Sequence, residues 1–241
     1  MSGGVPLGDR IASHAAGEPQ RVTLDGTYAK LVPLQESHSP DLYKYLCDGS
    51  QTSTFVYMST GPWEDEEEFT QQISMIAPSD DPFYFTVITK QALGSGAGAV
   101  PAGSAVGYLA LLNIDRAHRS VEIGWVTFSP RLQRTTAATE AFHLLMRYCM
   151  DDLGNRRLEW KCDTLNAKSR RAAERLGFAY EGTFRKHRIV RGRNRDTDWF
   201  SIVDDEWDAR NRALLAWLAP ENFDEGRQVR SLDTIRDEMK E

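Results

Sequence analysis

The sequence predicts an α+β domain, a mixed sheet flanked by helices, on three observations. Between residues 120 and 185, strand-like and helix-like runs alternate: a β-like run ending at Pro130, a long helical stripe, a strand at 158–163 and a short helix closing on Gly177-Phe178. Upstream, residues 104–113 and 120–129 read as strands joined by the short hairpin Arg116-Ala-His118-Arg119. The 241 residues, 41% hydrophobic and 27% charged, have the composition of an ordinary globular protein.

The elements follow in chain order. Residues 1–20, rich in Gly, Ala, Ser and Pro, read as a mobile tail. A first strand covers 28–33, and a helix over 40–46 follows the turn Ser37-His38-Ser39. Trp63-Glu-Asp-Glu-Glu-Glu-Phe69 opens another helix: its acidic first turn suits the positive end of the helix dipole, and Phe69, Ile73 and Ile76 share one face. Residues 83–89 alternate as a strand. The Gly- and Ala-rich stretch 91–103 is expected to be a flexible loop of little function. The longest helix is expected over 135–153, where Ala138, Ala141, Phe142, Leu145, Met146 and Cys149 recur at core-packing spacing. A strand at 158–163 leads to a helix at 167–176, ended by Gly177. Residues 178–190 and 196–204 read as a hairpin about Arg191-Gly192-Arg193-Asn194, and an amphipathic helix covers 206–218. The expected domain is thus 21–219, with a charged tail at 220–241.

Bulk properties exclude several roles. The net charge of −6 leaves no global basic footprint, so nucleic acid is not an expected partner. No apolar run approaches the roughly 18 residues of a membrane helix, so none is expected to enter a membrane. The start lacks a basic and then apolar leader, which points to the cytoplasm. Cys47, Cys149 and Cys162 are odd in number and widely spaced, which fits a reducing compartment rather than a disulfide framework. The five histidines show no ligand spacing with them, so no metal is expected.

The turn Gln133-Arg134-Thr135-Thr136-Ala137-Ala138 is the chemically suggestive segment. Small side chains let backbone amides approach a pyrophosphate, and the following helix points its positive end at it. Arg131 and Arg134 add charge. One strand later, Ser169 offers a hydroxyl. Small residues at a helix start are common, so the turn alone leaves both a phosphate site and a plain helix start open.

The surrounding motifs resemble the GCN5-related N-acetyltransferase (GNAT) superfamily, in particular its ribosomal-protein N-terminal (RimJ/RimL-like) branch. Gln133, Thr136 and Ala138, followed by Thr139, match the Gln/Arg-x-x-Gly-x-Gly/Ala loop, with Thr136 in place of the first glycine. Glu122-Ile-Gly-Trp125 is similar to the family's fourth strand, Asp163-Thr-Leu-Asn166-Ala-Lys-Ser169 to its D-x-x-N-x-x-S segment, and residues 173–185 to its closing signature. The resemblance spans about residues 26–205. It implies a mostly antiparallel sheet of six or seven strands, splayed between strands four and five, with acetyl-CoA as co-substrate in the opening.

The implied reaction moves an acetyl group to a primary amine by direct attack. The acceptor is a small amine, an amino-acid-like metabolite or a protein N-terminus, and the chain acts as a monomer or homodimer. The implied cofactor contacts are Trp125, Val126, Thr127, Gln133, Arg134, Thr135, Thr136, Ala137, Ala138, Thr139, Asn166 and Ser169. Backbone N–H groups near Trp125 to Thr127 are expected to hold the oxyanion. Glu122, between Val121 and Ile123, is the candidate base, since a desolvated carboxylate is the better base. It reads equally as a strand glutamate that binds a substrate cation. Ser169 is the candidate acid for the departing thiolate, or a first-turn serine near an N-cap at Asn166. Tyr57, Trp63 and Phe55 are expected along the acceptor wall, within a variable region of about 50–82, and read equally as core or rim packing. Asp196 and Asp198 are expected to be solvated hairpin charges, with a substitute base on the facing strand as the other reading; Arg185, Arg188, Arg191, Arg193 and Arg195 read as a solvated hairpin face or as contacts for an acidic substrate or the cofactor's 3′-phosphate. Two alternatives stay open: a catalytically weakened acyl-CoA-binding module, which the Thr136 departure suggests, and a protein-interaction scaffold using residues 207–241.

Overall fold

The computed structural model describes residues 5–47, 54–224 and 226–239. Eight strands form one sheet: β1 (Leu24–Asp25), β2 (Ala29–Pro33), β3 (Phe83–Thr89), β4 (Ala105–Asp115), β5 (Ser120–Phe128), β6 (Arg157–Asp163), β7 (Ala179–Val190) and β8 (Arg193–Val203). Their order is β1-β2-β3-β4-β5-β6-β8-β7. The two-residue β1 adds one strand to the expected six or seven. Every pair is antiparallel except β5–β6.

That parallel pair positions the site. Only Ser120, Val121 and Glu122 of β5 pair with Arg157, Leu158 and Glu159 of β6. Beyond Glu122 and Glu159 the two strands part, and each runs on without the other. With β1 left out, this is the expected splay between strands four and five.

Side-chain alternation divides the packing between two faces. On one face Leu31, Phe85, Leu109, Val121 and Ile123 pack with apolar residues of α3 (Thr136–Arg147) and α5 (Asp204–Leu218). On the other, Tyr84, Tyr108 and Ala110 pack with Leu42 and Leu46 of α1 (Ser39–Leu46) and Phe69 and Ile73 of α2 (Glu66–Ile76). The helices cover this second face only beside β2–β4, so the β6–β8–β7 part lies open.

Helix ends follow local chemistry. Asp65 caps α2 by accepting from the amides of Glu67 and Glu68. Helix α4 (Ala167–Leu176) starts at Asn166, whose side chain accepts from the Ser169 amide at 3.1 Å. It ends at Gly177 with φ +100°, where a side chain would be strained. The long predicted helix instead divides into α3 and a wide π turn over Tyr148–Asp152.

Two parts expected to be flexible are ordered, and the charged tail is partly helical. After Pro220, a small hairpin leads to α6 (Leu232–Glu238), which buries Leu232 and Ile235 against α4 and α5. Near the N-terminus, Ala16 is buried, and the Gly17 amide donates to the Leu153 carbonyl at 2.7 Å. In the 91–103 loop, Leu93 and Val100 bridge and are buried. In each case scattered apolar side chains meet the core, which composition alone does not register. The first four residues and the last two lie outside the described residues.

Candidate active site

The loop from Ser129 to Thr135 leads β5 into α3. Thr135 is the N-cap: its hydroxyl accepts from the Ala138 amide at 3.1 Å and donates to the Leu132 carbonyl at 2.7 Å. Arg134 takes the left-handed conformation, φ 64°, which turns the chain into the helix. Gln133 braces the loop, its side-chain amide donating to the Phe128 carbonyl at 2.7 Å. The amides of Gln133, Thr135 and Thr139 are taken by Ser129, Leu132 and Thr135 carbonyls. Those of Arg134, Thr136 and Ala137 have no acceptor among the described residues. Of the loop residues singled out in the sequence, these three therefore offer free donors at the positive end of a 12-residue helix. Gln133, Thr135 and Ala138 shape the loop instead, and Thr139 accepts from Arg175.

The splay opens beside this helix start. Within β5, Trp125 has φ 49° at a bulge, where pairing with β4 slips between Tyr108–Thr127 and Ala110–Gly124. The bulge re-aims the Trp125–Val126 backbone, and the Thr127 hydroxyl donates to the Trp125 carbonyl at 3.1 Å. Burial keeps the nearby Tyr84 and Tyr108 phenols neutral, that of Tyr108 pushed up to about 12. Neither can serve as a base.

Ser169 and Glu122 reach the splay from opposite faces. Ser169 lies in the first turn of α4, where its hydroxyl accepts from the Trp160 indole N–H at 3.0 Å. The thiol of the neighbouring Cys162 is raised to about 11 by burial, so it stays protonated and unreactive. Glu122 points away from Val121 and Ile123, toward the open face, and is buried. One oxygen, Oε2, accepts from Asn113 Nδ2 and Lys161 Nζ, both at 2.7 Å. Lys161 also touches Glu159 at 2.9 Å and lies 3.9 Å from the Trp199 ring centre. The charges continue along the face as Glu159–Arg157–Glu181, with contacts of 2.7 and 2.5 Å. The carboxylates of Glu159 and Glu181 lie below their ordinary range. For Glu159, burial opposes the shift and the bonds from Arg157 and Lys161 overcome it; for Glu181, the Arg157 bond dominates.

The open face also carries aromatic surface. Phe184 stacks on Trp199 at 4.6 Å, with His187 6.0 Å from the same ring. The buried Trp199 indole N–H has no acceptor among the described residues. Tyr57 spans the site, its hydroxyl donating to the Leu165 carbonyl at 2.9 Å. Trp63 is held edge-on to Phe55 and Phe69 at 5.4 and 5.2 Å, so its ring belongs largely to the packing under α2. Residues 50–53 of the acceptor region lie outside the described residues.

Asp198 corrects an expectation. It is 2% exposed, paired with Arg170 at 2.7 Å and bonded by Thr183 at 2.5 Å, and is no solvated hairpin charge. Strand alternation turns it under α4. The true turn is only Arg191-Gly192, both left-handed, which keeps Arg193 and Asn194 in β8.

Lys161, Asn113 and Trp199 were not singled out in the sequence. A signal was present: Arg157, Glu159 and Lys161 alternate with Leu158, Trp160 and Cys162, marking one face of β6 as charged.

A family model for the acetyltransferase (GNAT) domain matches residues 29–179. The chain belongs to the GNAT acetyltransferase family. It is similar to a GCN5-related N-acetyltransferase from Brucella melitensis, at 42% identity and a TM-score of 0.86, over 93% of this chain and 98% of that one. A GNAT-family acetyltransferase structure from Chromobacterium violaceum ATCC 12472 is 34% identical with a TM-score of 0.74, over 86% and 100%. Among curated proteins, YdaF of Bacillus subtilis (strain 168), which carries the provisional name of a ribosomal N-acetyltransferase, is 32% identical over 48% of this chain and 62% of its own. YnaD of the same strain, named as an N-acetyltransferase, is 32% identical over 36% of this chain and 50% of its own. The chain thus spans only half to three-fifths of these two curated relatives. The part of this chain that the family model matches is an acetyltransferase domain.

Proposed function

We propose that this GNAT chain transfers the acetyl group of acetyl-CoA to an α-amine, that of an amino-acid-like molecule or a protein N-terminus. The observation that carries the reading is the pairing of three free amides at the start of α3 with the splay between β5 and β6. The diphosphate of acetyl-CoA would bond the amides of Arg134, Thr136 and Ala137, and its thioester would enter the splay from the α3–α4 face. The amine would come from the open face, where Glu122 receives its ammonium and takes its proton. The neutral nitrogen then attacks the thioester carbon, and the oxyanion is met by backbone N–H groups near Trp125 to Thr127. The C–S bond breaks as the carbonyl re-forms, the surplus proton on the nitrogen passes to the departing thiolate, and Ser169 donates a hydrogen bond to that sulfur.

Two arguments favour an α-amine. Its ordinary pKa of about 7.7–8.0 leaves an appreciable neutral fraction near pH 7.5, whereas a lysine side chain at about 10.4 leaves roughly a thousandth. Further, Arg185, Lys186, Arg188, Arg191 and Arg193 are exposed along the β7–β8 hairpin and would repel a polyamine.

The test is thiol release from acetyl-CoA over a panel of polyamines, lysine derivatives, amino acids and N-terminal peptides. Turnover confined to α-amines is expected, with Glu122→Gln and Ser169→Ala both slower. Turnover confined to polyamines, or unchanged rates in both variants, refutes the reading.

A further inference from the structure

Lys161 sits two residues beyond Glu159, the last β6 residue paired with β5. Its side chain is only 12% exposed. It turns back across the apex of the splay to Glu122. Together with Asn113 it occupies Oε2 of that carboxylate, and Oε1 accepts nothing among the described residues. Oε1 lies over Gly124, 3.5 Å from where a Cβ on that glycine would stand, and so faces along β5 toward the Trp125 bulge.

We infer that Lys161 is a positioning residue for acetyl transfer: its ammonium holds one oxygen of Glu122 and turns the free oxygen of that carboxylate toward the reacting amine. The inference rests on the proposed role of Glu122 as proton acceptor. Lys161 touches neither thioester nor amine; it acts through the carboxylate. A buried carboxylate without the ammonium would favour its protonated form, which cannot accept a proton. The groups facing the pair are Glu159 and Arg157 on β6, Asn113 on β4 with Asp81 on its backbone amide, and Trp199, His187 and Arg195 on the β7–β8 side. Lys161 is the cation in direct contact with Glu122.

The experiment compares pH profiles of kcat/KM for Lys161→Met, Lys161→Arg and Glu122→Gln, each checked for folding by its melting curve. The amine's own titration is common to all, so differences in the acid limb report the enzyme. Lys161→Met should move that limb up by about one pH unit or more. The KM for acetyl-CoA should not change. Lys161→Arg keeps the charge and should hold the limb near its wild-type position. If Lys161→Met leaves the limb in place while Glu122→Gln removes it, the positioning role is overturned and the base survives. A limb displaced as far in Lys161→Arg as in Lys161→Met also overturns it. If Glu122→Gln leaves the profile intact, the base assignment itself fails.

Discussion

The Thr135 hydroxyl accepts the Ala138 amide at 3.1 Å, and this single cap decides which donors of α3 remain open. A helix start carries several amides without intrahelical acceptors. Here the cap takes that of Ala138 and leaves those of Thr136 and Ala137 facing out beside Arg134. The threonine at 136, where the family loop has glycine, therefore leaves the donors in place, because they belong to the backbone.

Thr136→Pro tests this directly. Proline is well tolerated at the first helical position, and Thr135 already has the extended backbone, φ −99° and ψ 165°, that a following proline needs. The substitution removes one N–H and leaves the cap intact. Affinity for acetyl-CoA should fall about 10-fold or more, the worth of one hydrogen bond to an anion, with little change in melting temperature. Calorimetric titration checks it; unchanged affinity would show that this amide meets no phosphate.

Glu140 of α3 ties the helix to the sheet. Its carboxylate accepts from the amides of Thr27, Tyr28 and Ala29 at 2.8, 2.6 and 2.7 Å, closing the β1–β2 turn. Glu140→Ala strands these donors and should cost about 2–4 kcal/mol in urea unfolding. Gly26→Ala should also destabilise, since its Cβ would stand 2.5 Å from the Glu140 carboxyl carbon. A loss in Glu140→Ala below about 1 kcal/mol would mean that water replaces the carboxylate.

What the sequence disclosed follows the range of each interaction. Asn166 and Gly177 were readable as the ends of α4 because a cap and a left-handed stop involve only neighbours. The 83–89 strand was readable from alternation alone. The splay was not: the residues of β5 and β6 past Glu122 and Glu159 look like any strand, and its expectation came from family resemblance. The contact of Lys161 with Glu122 joins residues 39 apart, and that of Glu140 with Ala29 spans 111. Neither leaves a periodic trace. Asp198 was misread because nearness to a turn suggests water, whereas the register set by Arg191-Gly192 places it beneath Arg170.

Arg236 ties the C-terminal helix to α4. One of its guanidinium nitrogens donates to the carbonyls of Glu174 and Arg175 at 3.0 and 2.6 Å, at the C-terminal end of α4, where the Glu174 carbonyl also accepts from the Gly177 amide. A second nitrogen pairs with Asp233. Arg236→Ala should lower stability by about 1–3 kcal/mol. Amide exchange should rise in α4, whose first turn holds Ser169. Exchange that rises only in α6 would show that α4 does not depend on this contact.

His143 gives the fold a pH dependence of definite sign. It is 5% exposed in α3, and burial, reinforced by Arg147, holds its pKa below the usual imidazole value; the Asn211 bond and the charges of Glu140 and Asp151 oppose this. Above about pH 6.5 the ring is neutral both folded and unfolded, and its environment costs nothing. As pH falls through that value, the unfolded chain takes a proton that the folded chain resists, so stability declines until the lower folded pKa is passed. His38 shifts in the same direction, also through burial, and adds to the effect. His143→Gln cannot charge and can still bond Asn211 Oδ1, now 2.8 Å from the imidazole Nε2. Its urea midpoint should therefore drop less than the wild-type midpoint between pH 7.5 and pH 5; an equal drop would assign the acid sensitivity to other groups.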